Sequence, residues 1–329
     1  MIIILNKTSG VESGPDEKVR KLEGLLRDSP VQAEIWTANA GHALTSLARK
    51  AAESEHDTIV AGGGDGTINA VAGALVHSTK KLGILPLGTL NHFSKDLGVP
   101  VDLPGAVENL TQGRERSVDV AEVNGRYFLN NSSIGLYPRI VRHREQQREQ
   151  LRRGKWPAFA WALLSALRVC PSLRLRITAD GVTRVTRTPF LFIGNNAYRM
   201  DLLRIGARDH LDRGELSIYY AGNTGGWGVV ALALRSLISR VEQARNFVTL
   251  SAREARIEAR RHHLDVSADG EVVRMTAPLA YKMHPRALRV IAPPIAAEAT
   301  PASSGAGARA EEQKLRVSET HSAGSSIKA

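Results

Sequence analysis

A run of glycines closed by an acidic residue can cradle a phosphate and act on it, and this chain has one at Gly62-Gly63-Gly64-Asp65-Gly66-Thr67. Glycines strip the side chains from a turn, so backbone N–H groups can approach an anion directly. Ahead of the run, Thr58-Ile59-Val60-Ala61 is short, apolar and β-prone, as a buried parallel strand should be. Behind it, Ile68, Val71, Ala72 and Leu75 share one face of a helix opening at Thr67. Such a strand, turn and helix start aim the positive end of a helix dipole at one point. The run is not a Walker A loop, because no Gly-Lys-Ser/Thr follows, and G-x-G-x-x-G fits at no register. Asp65 sets it apart: a carboxylate beside phosphates is repulsive unless it holds a metal ion or accepts a proton. That favours phosphoryl chemistry over passive phosphate binding. An ordinary strand–helix turn with Asp65 as its cap uses the same residue types, and both readings stand at this point.

The flanking pattern supplies the scaffold. Residues 1–121 alternate strands (2–5, 31–36, 57–61, 82–85) with helices (16–28, 41–54, 67–78), which predicts a parallel sheet covered by helices. Ligands collect at the carboxyl ends of such strands, where the loops 6–10, 62–67 and 86–91 fall. In the last of these, Thr89 and Asn91 offer a hydroxyl and an amide, suited equally to a ligand and to a helix cap. Past residue 122 the grammar changes. Short β-prone runs at 126–134, 173–178, 184–193, 215–220, 246–251, 254–260, 264–268 and 271–276 are divided by turn signals such as Asp180-Gly181 and Asp269-Gly270. They predict an antiparallel sandwich interrupted by helices near 139–169 and 225–243. The expected fold is therefore an α/β domain over 1–122, rejoined by a strand in 287–296, and a mainly antiparallel β-sandwich over 123–286. The stretch 297–329, poor in large apolar residues, reads as a disordered tail.

Composition narrows the partners. With 329 residues, 43% hydrophobic and 23% charged, the chain has the balance of a soluble globular protein. Its formal net charge of +11 and pI near 10.0 call for an anionic partner: nucleotide, nucleic acid or anionic membrane. One cysteine, Cys170, excludes an internal disulfide and fits a reducing cytoplasm; it reads as buried filler. Met1–Lys7 reads as a strand rather than a signal peptide. The apolar runs 156–170 and 225–239 are too short to span a bilayer and contain Arg168 and Arg235. Segment 139–155 holds seven Lys/Arg against two Glu, with Arg144, Arg148 and Arg152 on one helical face and Trp156, Phe159 and Trp161 following. That suits attachment to an anionic membrane surface, and equally a solvated charged helix. Nucleic acid is disfavoured, because no binding module appears and the charge clusters beside tryptophan.

Taken together, the motifs resemble the diacylglycerol kinase/sphingosine kinase-type lipid kinases in their small soluble bacterial form. Asn6-Lys7-Thr8-Ser9-Gly10 is similar to the family's first loop, with Lys7 where a proline is usual. Gly63-Gly64-Asp65-Gly66-Thr67 is similar to its central signature, Leu82–Asn91 to its second phosphate-side loop, and Asp269-Gly270-Glu271 to its C-terminal motif. The resemblance runs from residue 2 to about 293. It implies a NAD kinase/diacylglycerol kinase-like α/β domain, a β-sandwich lipid domain, and an active site between them that uses ATP and Mg²⁺. It also implies nucleotide contacts at Asn6, Thr37, Gly63, Gly64, Asp65, Gly66, Thr67, Asn69, Thr89 and Asn91. Glu271 would be the general base, with Asp269 and Asp65 completing an acidic, Mg²⁺-linked cluster. A carboxylate within hydrogen-bond reach of a lipid hydroxyl can take its proton, and positioning and charge neutralisation do the rest.

Two positions depart from the family pattern. His92 stands where an Asp often follows the second-loop Asn. Arg213 precedes Gly214 where the family's second, structural Mg²⁺ site has an Asp, leaving Asp212 as the nearest candidate ligand; a guanidinium cannot ligate Mg²⁺. The expected function is an ATP-dependent lipid kinase, cytoplasmic and working at the inner face of the membrane on a diacylglycerol-like lipid, with a homodimer admitted. A soluble small-molecule kinase of the NAD kinase type and a catalytically inactive nucleotide- or lipid-binding regulator are the rival readings.

Overall fold

The run Ile2-Ile3-Ile4-Leu5 is apolar on every residue because both of its faces are covered. In a computed structural model, which describes residues 1–7, 15–27, 29–30, 32–39, 41–135, 138, 173–198, 208, 210–222 and 247–294, this run is strand β1 (Ile2–Asn6). It lies between the parallel strands β2 (Glu34–Ala38) and β3 (Thr58–Gly63), and β3 pairs in turn with β4 (Lys81–Pro86). Ile2, Ile4, Ile59, Ala61, Leu82 and Ile84 pack with buried residues of helices α2 (His42–Ala52) and α3 (Asp65–Leu75). On the opposite face Ile3, Leu5, Val60 and Leu85 pack with α1 (Pro15–Arg27) and α5 (Leu103–Gln112). The short helix α4 (His92–Asp96) follows the 86–91 loop. These elements are the α/β arrangement expected from the sequence. The expected helices near 139–169 and 225–243 and the tail 297–329 lie outside the described residues.

The remaining strands are β5 (Arg114–Val123), β6 (Arg126–Phe128), β7 (Asn131–Gly135), β8 (Leu173–Ala179), β9 (Val182–Thr188) and β10 (Phe190–Asn195). After them come β11 (Leu216–Ala221), β12 (Phe247–Ala252), β13 (Glu254–Ala259), β14 (His263–Ala268), β15 (Glu271–Thr276) and β16 (Leu279–Ala292). Two sheets result. One runs β2-β1-β3-β4-β16-β13-β8-β9, with β5 on β16 and β6 on β5; the other runs β12-β11-β10-β7-β14-β15. Leu175, Ile177, Ile257 and Tyr281 from the first meet Ile134, Ile193, Ile218 and Val266 from the second in a shared core, a mainly antiparallel sandwich.

Strand β16 belongs to both halves. Its first part pairs antiparallel with β13, and Arg289 and Val290 pair parallel with Lys81 and Leu82 of β4. One sheet therefore continues from the α/β half into the sandwich, and residues 1–293 form one compact unit. Two runs read as single strands are split. The 126–134 run breaks at Leu129-Asn130, whose N–H groups both donate to Asp269. The 184–193 run breaks at Pro189, which separates β9 in one sheet from β10 in the other. Strand β5 was hidden by its polar start, Arg114-Glu115-Arg116-Ser117.

A buried carboxylate ties these pieces together. Asp119 of β5 is fully buried and accepts hydrogen bonds from Gly214 N at 2.6 Å, Arg286 N at 2.8 Å and Asn196 Nδ2 at 3.1 Å. Replacing it strands three donors, at about 1–3 kcal/mol for each buried group left unsatisfied. Asp119→Ala should lower unfolding stability by about 3 kcal/mol or more in chemical denaturation; a loss below about 1 kcal/mol would show that water replaces the carboxylate.

Candidate active site

Two glycine-bearing turns meet where β3 and β4 end. Leu87 N–H donates to Gly63 O at 2.9 Å, and a Cβ placed on Gly88 would lie 2.4 Å from Gly64 Cα. Only bare backbone fits there. Asn91 closes the second turn from within: its Oδ1 accepts from Gly88 N at 3.1 Å, and its Nδ2 donates to Gly88 O at 2.9 Å. Its backbone is left-handed, with φ at 50°, a conformation Asn tolerates better than most residues. Gly64 caps α3 with no side-chain hydrogen bond, so the orphan N–H groups of that first turn have no side-chain acceptor at the cap. Thr67 Oγ1 accepts from Asn6 Nδ2 at 3.0 Å, pinning β1 to the start of α3.

Asp65 is a cap, though of the other helix. Its Oδ1 accepts from Phe93 N, in the first turn of α4, at 3.3 Å. This one carboxylate thus draws the N-termini of α3 and α4 to the same spot.

The sandwich brings the second wall. A cavity of about 840 Å³ opens over Gly64, Gly66 and Thr67 and is lined across from them by Arg126, Glu271 and Val273. Glu271 Oε1 lies 3.5 Å from where a Cβ on Gly66 would stand. Its other oxygen is held by Arg126 Nη2 in an ion pair. Two cavity-lining residues each have a buried atom without a hydrogen-bond partner, Asn69 Oδ1 and Arg126 Nε. Deeper in, Ala70, Gly73 and Ala74 of α3 and Met275 of β15 give the cavity an apolar side.

Of the residues expected at the site, Asn6, Gly64, Gly66, Thr67, Asn69 and Glu271 line this cavity, and Gly63, Asp65 and Asn91 support it from behind. Thr37 and Thr89 are exposed and do not line it. The expected acidic cluster needs correcting. Asp269 turns away into the protein, where its carboxylate accepts from Leu129 N at 2.7 Å, Asn130 N at 2.8 Å and Asn131 N at 3.0 Å. Burial holds its pKa above the ordinary carboxylate range, and those amides and nearby Arg208 only partly offset this. Its backbone φ of 47° is that of a turn, so Asp269 shapes the hairpin that presents Glu271. Asp212 is exposed, and among the described residues no three His, Cys, Asp or Glu side chains group to hold a metal ion. The second-domain metal site expected there has no ligand set among them. Arg213 donates its N–H to Asn196 Oδ1 at 3.1 Å, which makes it part of the turn around Asp119.

Sequence reasoning missed Arg126 and the buried pair Arg208–Asp96. Arg208 Nη2 lies 2.8 Å from Asp96 Oδ2 at the end of α4, and its Nη1 donates to Leu129 O at 2.6 Å. The pair joins the helix behind the second phosphate-side loop to the turn that Asp269 holds. Burial raises the Asp96 pKa against the pull of Arg208, and burial beside the same cluster pushes the Tyr198 hydroxyl up to about 12. No local pattern marks Arg208 or Arg126, because their partners are far away in sequence.

Comparison with known proteins agrees with this architecture. Residues 1–123 match the family model of the diacylglycerol kinase catalytic domain, and residues 135–292 match that of the YegS C-terminal NAD kinase beta sandwich-like domain. The two matches follow one another in the order of the α/β half and the sandwich, so the chain resembles diacylglycerol kinase-type proteins in both parts. It is 38% identical over 144 residues to a diacylglycerol kinase of Staphylococcus epidermidis, and 35% identical over 140 residues to one of Staphylococcus aureus. Each match spans 42% of this chain and 44% of the relative, under half its length. A crystal structure of a diacylglycerol kinase from Bacillus anthracis has the same fold, with a TM-score of 0.66 at 22% identity over 89% of this chain and 96% of that one. Another from the same organism gives 0.71 at 24% identity over the same shares. Among the described residues no helix is long and apolar enough to cross a membrane.

The contact between the two turns can be tested by adding one methyl group. Gly88→Ala should cost about 1–3 kcal/mol of stability, as overpacking against backbone does. Gly24→Ala in α1, where nothing lies within 4 Å of the new Cβ, should be neutral or stabilising. Equal denaturation midpoints for the two variants would contradict the close approach.

Proposed function

We propose that the protein is a lipid kinase that transfers the terminal phosphoryl group of ATP to a hydroxyl of a diacylglycerol-like lipid. The observation that carries this reading is the place of Glu271, a sandwich carboxylate standing beside Gly66 in the turn of the α/β half. The bare first turn of α3 suits the phosphates, since helix N-termini bind anions through free N–H groups and the helix dipole. Glu271 then takes the proton as the lipid oxygen attacks the γ-phosphorus. The bond to the β-phosphate oxygen breaks, and ADP leaves with its electron pair. The apolar side of the cavity at Val273 and Met275 suits an acyl chain.

Mg²⁺ fits this donor set in one way. It is commonly bound through one or two carboxylates, with water and substrate phosphates completing the shell, and Asp65 has one oxygen engaged with Phe93 N and a second available at the turn. Once bound with the nucleotide, Mg²⁺ offsets the phosphate charge. Arg126 holds the Glu271 carboxylate in place and sets a guanidinium beside the position of the phosphates. The protein would work in the cytoplasm against the anionic inner face of the membrane. The basic, tryptophan-bearing 139–161 segment that first suggested this lies outside the described residues.

The test is transfer of labelled γ-phosphate from ATP to diacylglycerol in mixed vesicles. Glu271→Gln should reduce kcat by about 10²–10⁴-fold, the range for loss of a general base. Asp65→Ala should move the Mg²⁺ dependence to higher concentration. Equal labelling by wild type and both variants would remove these roles, and wild-type ATP turnover with no labelled lipid would turn the reading toward a soluble acceptor.

A further inference from the structure

The outer face of the first sheet, at its sandwich end, is basic. On β8, Arg174 and Arg176 face out while Leu175 and Ile177 enter the core. The antiparallel register puts Arg187 of β9 directly opposite Arg174, and Val185 opposite Arg176. Like charges directly opposed across a strand pair destabilise it, so folding alone does not account for this placement. Strand β13 pairs on the other side of β8, and the chain leaves it through Arg260, Arg261 and His262, all exposed, at the end of the sheet that bears Arg174 and Arg187. Glu258 engages Arg176 and Arg256; among the described residues no ion pair engages Arg174, Arg187, Arg260 or Arg261.

Shape and position add to charge. Arg256, Arg260, Arg261 and His262, with the paired Glu258 and with Ala277 and Pro278, line a hollow of about 270 Å³ at this corner. Strand β9 is the last of the sheet, and its Val185, on the same face as Arg187 and opposite Arg176, is 58% exposed. Strand β15 runs from the large cavity toward this corner. Glu271, Val273 and Met275 of β15 line the cavity, and Ala277, just past the strand's end, lines the hollow. At ~3.3 Å per residue, Glu271 and Ala277 stand about 20 Å apart, a little more than one leaflet's share (about 15 Å) of a bilayer's hydrocarbon core.

We propose that this basic corner seats the protein on the surface of an anionic lipid bilayer, with phosphate-bearing headgroups against Arg174, Arg187, Arg260 and Arg261 and the exposed Val185 entering the interface beside them. Guanidinium groups take phosphate oxygens in bidentate pairs, and each cation held near an anionic leaflet adds to binding. An anion between Arg174 and Arg187 also turns their mutual repulsion into a shared attraction. The inference rests on the lipid-kinase reading only in taking the acceptor to lie in a bilayer.

Co-sedimentation with phosphatidylcholine vesicles, with and without phosphatidylglycerol, tests it. Wild type should bind only the phosphatidylglycerol vesicles and release them as salt rises. Arg174→Glu and the double variant Arg260→Glu/Arg261→Glu should each weaken binding, by about fivefold for every cation removed. Lys21→Glu, an equal charge change on α1, should not. Arg174→Glu turns a repulsive cross-strand pair into an attractive one, so its melting temperature should hold or rise while binding falls; misfolding would move both together. Binding unchanged in the corner variants, or equal on both kinds of vesicle, overturns the proposal. So does a loss seen only with an RNA oligomer in place of vesicles. Transfer from ATP to vesicle-borne diacylglycerol, run beside transfer to a water-soluble short-chain diacylglycerol, separates the two readings. Corner variants should lose the first and keep the second. A wild type active on neither removes the lipid-kinase reading and leaves the corner to the binding result.

Discussion

Gly64 and Gly88 approach so closely that no side chain can stand between them. Much of the candidate site follows from that contact. It sets the ends of β3 and β4 side by side, lets Asp65 reach the first turn of α4, and leaves the first turn of α3 open toward the cavity. The glycines serve here through the volume they leave empty. Asn91 has the matching task on the other side, using its amide to close the second turn where a longer side chain would push it open.

The carboxylates divide into ties and one that faces the cavity. Asp65, Asp119 and Asp269 each accept backbone N–H groups, and Asp96 accepts from Arg208. These four join elements far apart in the chain. Glu271 differs in having one oxygen in an ion pair and the other at the cavity beside Gly66. Asp269 and Glu271 are two residues apart, yet one spends its carboxylate on three backbone amides and the other lines the cavity, because the turn at Asp269-Gly270 reverses the chain between them.

Local pattern carried the α/β half well. Ile2–Leu5, Ile59–Ala61 and Leu82–Leu85 are buried, with side chains packed on both faces of the sheet, and such strands advertise themselves as short apolar runs. The glycine turn was equally plain, since bare turns between a strand and a helix are rare enough to notice. Three-dimensional pairing was much less legible. Arg126 meets Glu271 across 145 residues, and Arg208 meets Asp96 across 112. No spacing rule reaches that far, so neither arginine stands out in the sequence. Asp269 misled for the opposite reason. Its motif was visible, but whether such a carboxylate faces solvent or three amides depends on the neighbouring turn at Leu129–Asn131.

Strand β16 has a consequence for how the chain comes together. Strand β4 ends at Pro86, and its neighbour on one side begins only at Leu279. While β16 is missing, the start of β4 at Lys81 and Leu82 has no neighbour on that side, and the face that Ala287, Leu288 and Val290 complete is bare. The first half of the molecule is thus left unfinished by its own residues. During synthesis it must wait, edge open, for a strand made long after it. Such long-range closure slows folding and exposes intermediates to association.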